Sequence, residues 1–147
     1  MKALLPLAIA VVATAVVVLL VVQPPVVISN AFVDVVPPDS AIVGFNFANW
    51  GLREVCIVGV KAPAGLEVEL HRTEFINGTI AIMKEVNRIC AGPFSTVRVG
   101  PLSYHIHLIG NVSQIGNSVT LELILSDGRR LTVTAPKGAG PYINITG

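Results

Sequence analysis

A chain of 147 residues has room for one ordinary domain plus a targeting or anchoring segment. Its hydrophobic share of 52% against 13% charged is concentrated at the N-terminus, so the remainder has the composition of a soluble domain. With Lys2 set aside, nine basic and nine acidic side chains balance, and no basic run or aromatic-interleaved basic stripe occurs; these features argue against a nucleic-acid partner.

The opening run "MKALLPLAIAVVATAVVVLLVVQPP" carries one basic residue, Lys2, and no further charge appears before Asp34. Ala3 to Val22 is 20 residues, and at about 1.5 Å per residue such a helix matches the roughly 30 Å hydrocarbon core of a bilayer. A secretory signal has an apolar region of only about 7–15 residues, and a small-x-small cleavage site is hard to place before Gln23. An uncleaved single-pass anchor is the favoured expectation; a cleaved signal, giving a secreted domain, is the alternative. Lys2 on the short side puts the N-terminus inside and the domain on the extracytoplasmic side. Residues 1–25 then form the anchor or signal segment with a stiff proline exit, 26–137 the domain, and 138–147 a short tail.

From Val26 onward short β-rich runs alternate with turn residues, and no window shows an apolar repeat of 3.6. The expected strands are 26–36, 41–49, 54–62, 66–72, 79–86, 95–100, 103–110, 118–125 and 130–136. Between them stand "PPDS", "NWG", "PAG", "NG", "AGP", "GP", "GN" and "DG", of which "INGTI" and "SDGRR" are hairpin signals. This pattern predicts an antiparallel β-sandwich of immunoglobulin-like or cupredoxin-like type. In "SVTLELIL" Val119, Leu121, Leu123 and Leu125 take the core face. In "LEVELHR" the core set is Leu66, Val68 and Leu70, which points Glu67, Glu69 and His71 away from the core.

Cys56 and Cys90 favour a structural disulfide in an oxidising compartment, worth roughly 3–4 kcal/mol in the chain-entropy model. The alternative, a redox pair or thiolate ligands, lacks C-x-x-C spacing. Three Asn-x-Ser/Thr sequons, at Asn77, Asn111 and Asn144, read as glycosylation acceptors on an exported surface or as chance occurrences in loops.

The chemistry concentrates in "SYHIHLIG". Period two puts His105 and His107 on one strand face, with Tyr104, Ile106 and Leu108 on the other, so two imidazoles can converge on one ion. The third histidine, His71, and Met83, the only methionine besides the initiator, lie on two earlier strands joined by the "EFINGTI" hairpin. Each residue taken alone is unremarkable as a surface histidine or a core-filling methionine.

Their spacing resembles the signature of the extracytoplasmic copper chaperone family called PCuAC, H(M)-x10-M-x21-H-x-M. Here "HR" at 71 and 72 stands for H(M), residues 73 to 82 are the ten, Met83 follows, 84 to 104 are the 21, and "HIH" stands for H-x-M. The likeness extends from about Asn30 to Pro136: "NAFVDVVPPDSAIVGFNFANWG" resembles the family's opening strand, proline turn and strand ending in Asn-x-Gly, and "SVTLELILSDGRRLTVTAP" resembles its closing hairpin. The resemblance implies a cupredoxin-like Greek-key sandwich, a copper site of His71, Met83, His105 and His107, and delivery of copper to the copper centre of a membrane-bound respiratory oxidase or its assembly factor. Two positions depart from the pattern. Arg72 fills the optional methionine position, and His107 replaces the last methionine.

Thioether sulfur favours Cu(I), while imidazole suits copper, zinc and nickel alike. One methionine with three histidines is expected to keep Cu(I) as the preferred ion and to stabilise Cu(II) more than the family's usual site does. Zinc is the lesser rival, since methionine is a poor zinc ligand. A blue-copper centre would need a cysteine among the histidines, and none follows Cys90 within fourteen residues. Binding requires neutral imidazole and should weaken as pH falls through about 6.5, with copper passing by ligand exchange at an exposed site. The alternative function is an exported surface assembly or adhesion protein whose histidines are incidental. Catalysis is not expected: no Ser-His-Asp pattern is evident, and Glu69 and Glu74 read as ordinary surface residues.

Overall fold

Alternation along the chain produces the architecture directly. The computed structural model describes residues 4–22 and 25–138, with the side chains of the first helix described as far as Val17. One helix, α1 (Leu4–Val22), precedes ten strands: β1 (Val26–Val36), β2 (Ser40–Asn49), β3 (Val55–Lys61), β4 (Leu66–Ile76), β5 (Ile80–Glu85), β6 (Ile89–Ala91), β7 (Ser95–Val99), β8 (Tyr104–Gly110), β9 (Ser118–Leu125) and β10 (Arg130–Pro136). Among the described residues no helix is long and apolar enough to cross a membrane. The tail beyond Gly138, with the Asn144 sequon, lies outside the described residues.

The strands form two sheets packed face to face, one ordered β1-β2-β7-β8-β4-β5 and the other β10-β9-β3-β6. Pairing is antiparallel throughout apart from the single β7–β8 step and one bridge from Val33 to Lys137. β7 and β8 occupy successive stretches beside β2, which pairs first with 95–99 and then with 106–109; residues 100–103 loop out between them. The core is the apolar half of each alternation: Val43, Phe45 and Phe47 from β2, Leu70 from β4, Ile106 and Leu108 from β8, and Leu121, Leu123 and Leu125 from β9. At "NG" the φ angles are +52° for Asn77 and +71° for Gly78, the left-handed values at the two central positions of the turn that the Thr79 N–H closes on the Ile76 carbonyl, and Thr79 is the third loop residue between paired Ile76 and Ile80.

Three differences from the sequence reading have physical causes. β4 continues to Ile76 because β5 offers it a partner along the whole hairpin, whereas the alternation was followed only to Arg72. β6 is three residues long, too short to display a period. A 3-10 turn at Val112–Gln114 fills the connection after β8.

Candidate metal centre

Register builds the site. β4 and β8 pair antiparallel with His71 opposite His105 and Glu69 opposite His107, so four side chains form a block on one face of the sheet. On the opposite face Leu70 pairs with Ile106, and both are buried in the core, which fixes the strands against slippage. β5 extends the same face: Met83 pairs with Thr73, two residues beyond His71, and Glu85 pairs with His71 itself.

The three imidazoles gather into a triangle. Ring centroids lie 4.8 Å apart for His71 and His107, 5.5 Å for His71 and His105, and 6.5 Å for His105 and His107. Sequence alternation made His71 a residue outside the core, and it does face away from the core; yet it is only 9% exposed and His105 is 0% exposed. The outer face is dry here because the rings cover one another and the surrounding chain closes over them. Gly44 sits one step past the Val43–Ile106 pair, abreast of His105, and its missing Cβ leaves room for the buried Phe32 ring. Thr73 donates to the Pro101 carbonyl at 2.7 Å and draws the 100–103 loop against β4. Met83 on β5 is 55% exposed and His107 is half-buried, while His71 and His105 are buried.

Each histidine uses one nitrogen for a protein partner. His71 Nε2 lies 2.7 Å from Glu69 Oε2, His105 Nδ1 lies 3.2 Å from the Ser103 carbonyl, and His107 Nε2 meets the Ser40 hydroxyl. A carboxylate and a carbonyl can only accept, so His71 Nε2 and His105 Nδ1 carry the hydrogen, and the opposite nitrogens present lone pairs. The Ser40 hydroxyl can accept in the same way from His107. The remaining nitrogens, His71 Nδ1, His105 Nε2 and His107 Nδ1, are buried with no partner in the protein. A buried polar atom without a partner costs free energy, so these nitrogens are candidate ligand atoms; His71 and His107 bring ligand atoms within 4.8 Å of each other and of Glu69, whereas His105 stands outside that group. The pattern of one nitrogen oriented by the protein and one left free is that of histidine metal ligands.

Burial favours the neutral form of two of the rings. Burial holds His105 below the ordinary imidazole value, more than the Ser103 hydrogen bond raises it, and the neighbouring histidines push the same way. Burial likewise lowers His107, with His71 adding to the effect and Glu69 and Asp39 opposing it. Neutral imidazole is the form that binds a metal.

Glu69 joins the candidate cluster beside the residues the sequence pointed to. A ligand atom from each of Glu69, His71 and His107 can lie within 4.8 Å of the others. Its side chain is 40% exposed, as the surface reading expects, and it is tied to His71 at 2.7 Å. Glu74, by contrast, pairs with Lys84 at 2.7 Å on the outside. The available signal was the i, i+2 spacing of Glu69 and His71, which gains meaning only once β4 is registered on β8. Met83 sits at a diagonal position to His71, about 7–8 Å away across the strands, a gap that a long flexible side chain spans.

Cys56 and Cys90 are cross-strand neighbours on β3 and β6 and are joined as a disulfide. The loop it closes contains β4 and β5, and with them Glu69, His71 and Met83. The Asn77 and Asn111 sequons both lie on exposed turns, and Ser113 donates to the Asn111 side chain.

Solved structures share this architecture. The chain is similar to the "Copper-bound PCuAC domain from PmoF2" (20% identity, TM-score 0.60, 76% of this chain and 91% of that one). It is also similar to the "apo PmoF2 PCuAC domain" (18%, 0.60, 76% and 88%) and to the "Apo PCuAC domain from PmoF1" (13%, 0.60, 76% and 92%). Two sheets in this order define a β-sandwich of the PCuAC fold. Residues 26–137 match the family described as "Putative lipoprotein LpqE-like", and the chain belongs to that LpqE-like family. No curated protein matches it.

Proposed function

We propose that this protein is an extracytoplasmic copper carrier. It binds one ion through His71, His105, His107 and Met83 and surrenders it by ligand exchange to a copper-accepting subunit or assembly factor of a membrane oxidase. The observation that carries the reading is the set of three buried imidazole nitrogens without partners. Incidental surface histidines would be solvated. The copper-bound state named for one structural relative supports copper as the ion. Cu(I) is preferred because Met83 supplies a soft sulfur, and three imidazoles, with Glu69 beside them, make Cu(II) accessible; zinc follows behind both. The role is carriage, without catalysis.

Export and tethering belong to the same reading. The lipoprotein description of the family supports a place outside the cytoplasm. Both cysteines are bonded to each other, so the attachment assigned here is the uncharged apolar segment Ala3–Val22 rather than a lipid on a thiol. Confinement to the membrane raises the effective concentration of the carrier at a membrane acceptor. X-ray absorption of the Cu(I)-loaded chain tests the ligand set: one sulfur and three imidazole nitrogens are expected, and a shell without sulfur removes Met83 from it.

A further inference from the structure

Six of the exposed large apolar side chains of the domain lie toward the end where the chain arrives from α1, while others, such as Val36 at the opposite end of β1, are exposed elsewhere. Trp50 donates its backbone N–H to the Pro25 carbonyl at 2.9 Å. Pro25 is three residues past Val22, the last residue of α1, so the tether reaches at most about 10 Å. Asn49, fully buried, pins this end. Its amide donates to the carbonyls of Arg53, Ala91 and Gly92, and its side-chain oxygen accepts from the Gly51 N–H. Trp50, Leu52 and Phe94 project from the loops so held at 53%, 46% and 58% exposure.

Register brings a second group to the same end. Val43 pairs with Ile106 and Ile106 with Leu70, so Val43 and Leu70 stand level on either side of β8. β2 and β4 both run antiparallel to β8, and six residues onward Asn49 and Ile76 reach the same end. There Phe75, Ile76 and Ile80 of the β4–β5 hairpin are also exposed. Six large apolar side chains on one end of a small domain exceed the scattered singles that solvent normally meets.

We infer that this end rests on the lipid surface, with Trp50, Leu52 and Phe94 and the tip of the β4–β5 hairpin seated among the headgroups. Aromatic and aliphatic side chains beside a short tether match the interfacial level of a bilayer. The inference rests on the proposed anchoring by α1. It fixes the height of the metal centre: His71 is five residues from Ile76 and His107 is level with Ile42, seven residues from Asn49. At about 3.3 Å per residue the histidines stand roughly 17–23 Å above the resting surface.

Trp50 is the only tryptophan, so its emission reports this end directly. The full chain is reconstituted in phosphatidylcholine vesicles with brominated acyl chains, and its emission is compared with that in unbrominated vesicles. The expected result is a shift to shorter wavelength and loss of most of the emission to bromine, with both effects diminished in Leu52→Glu, which leaves Trp50 in place. Release of the chain from vesicles by alkaline carbonate overturns the anchor and the inference with it. Retention in the membrane with Trp50 unquenched and open to acrylamide overturns the inference alone and leaves the patch to a protein partner. Equal quenching in parent and Leu52→Glu also overturns it, since the tether alone would then explain the proximity.

Discussion

Glu69 and His71 hold each other at 2.7 Å, carboxylate oxygen to Nε2, and this contact turns His71 so that Nδ1 lies buried and free. The carboxylate thus orients a proposed ligand, whether or not it would itself touch the ion. Orienting partners of this kind are worth about 10–100-fold in metal affinity. Glu69→Gln is expected to lower Cu(I) affinity within that range while far-UV circular dichroism stays unchanged. An affinity equal to the parent's would make the contact a surface ion pair only.

Met83 belongs to the rim, 55% exposed on β5. Its removal should therefore leave folding nearly untouched, within about 0.5 kcal/mol by urea denaturation. Sulfur favours Cu(I) over Cu(II). Met83→Ala is expected to weaken Cu(I) binding far more than Cu(II) binding, which paired titrations in reducing and oxidising buffers would resolve.

Much of the fold was legible because it rests on period two. The bounds of β1, β9 and β10 coincide with the alternating runs, and "NG" marks its hairpin by the left-handed φ that Asn and Gly accept. The face shared by His105 and His107 follows from the same period. What alternation cannot show is what lies over a face. His71 points away from the core yet is buried, because β8 brings two more rings beside it and Phe32 and the 100–103 loop crowd the neighbouring positions. Glu69 is a case of the same kind: its meaning lies in the β4–β8 register, a contact across 38 residues of sequence between Glu69 and His107.

The depressed His105 and His107 set a pH dependence for the apo protein. A histidine whose folded value lies below its unfolded value of about 6.5 binds fewer protons folded than unfolded. Its contribution is complete above about 6.5 and is lost as pH falls through the lower folded values. The urea midpoint of the apo chain is expected to decline below pH 6.5, and His105→Phe should flatten that decline. A midpoint that rises on acidification would contradict the burial of these rings in neutral form.

The disulfide closes a loop of 34 residues that carries half of the proposed ligands. Replacing both cysteines by serine should cost roughly 3–4 kcal/mol, read by urea denaturation against the oxidised parent. Copper affinity in the variant, measured below its unfolding transition, should stay close to the parent's, because β4 remains paired with β8 through its own register.

The most direct measurement is anaerobic titration of the full chain with Cu(I) against a competing chelator, in the parent and in His107→Ala. His107 is half-buried with Ser40 as its partner, so its loss is tolerated by the fold, and circular dichroism checks this. One tight equivalent in the parent, lost in the variant, is the expected result. No tight equivalent in the parent, or the same affinity in both proteins, would contradict the assignment of the histidine cluster as a copper site.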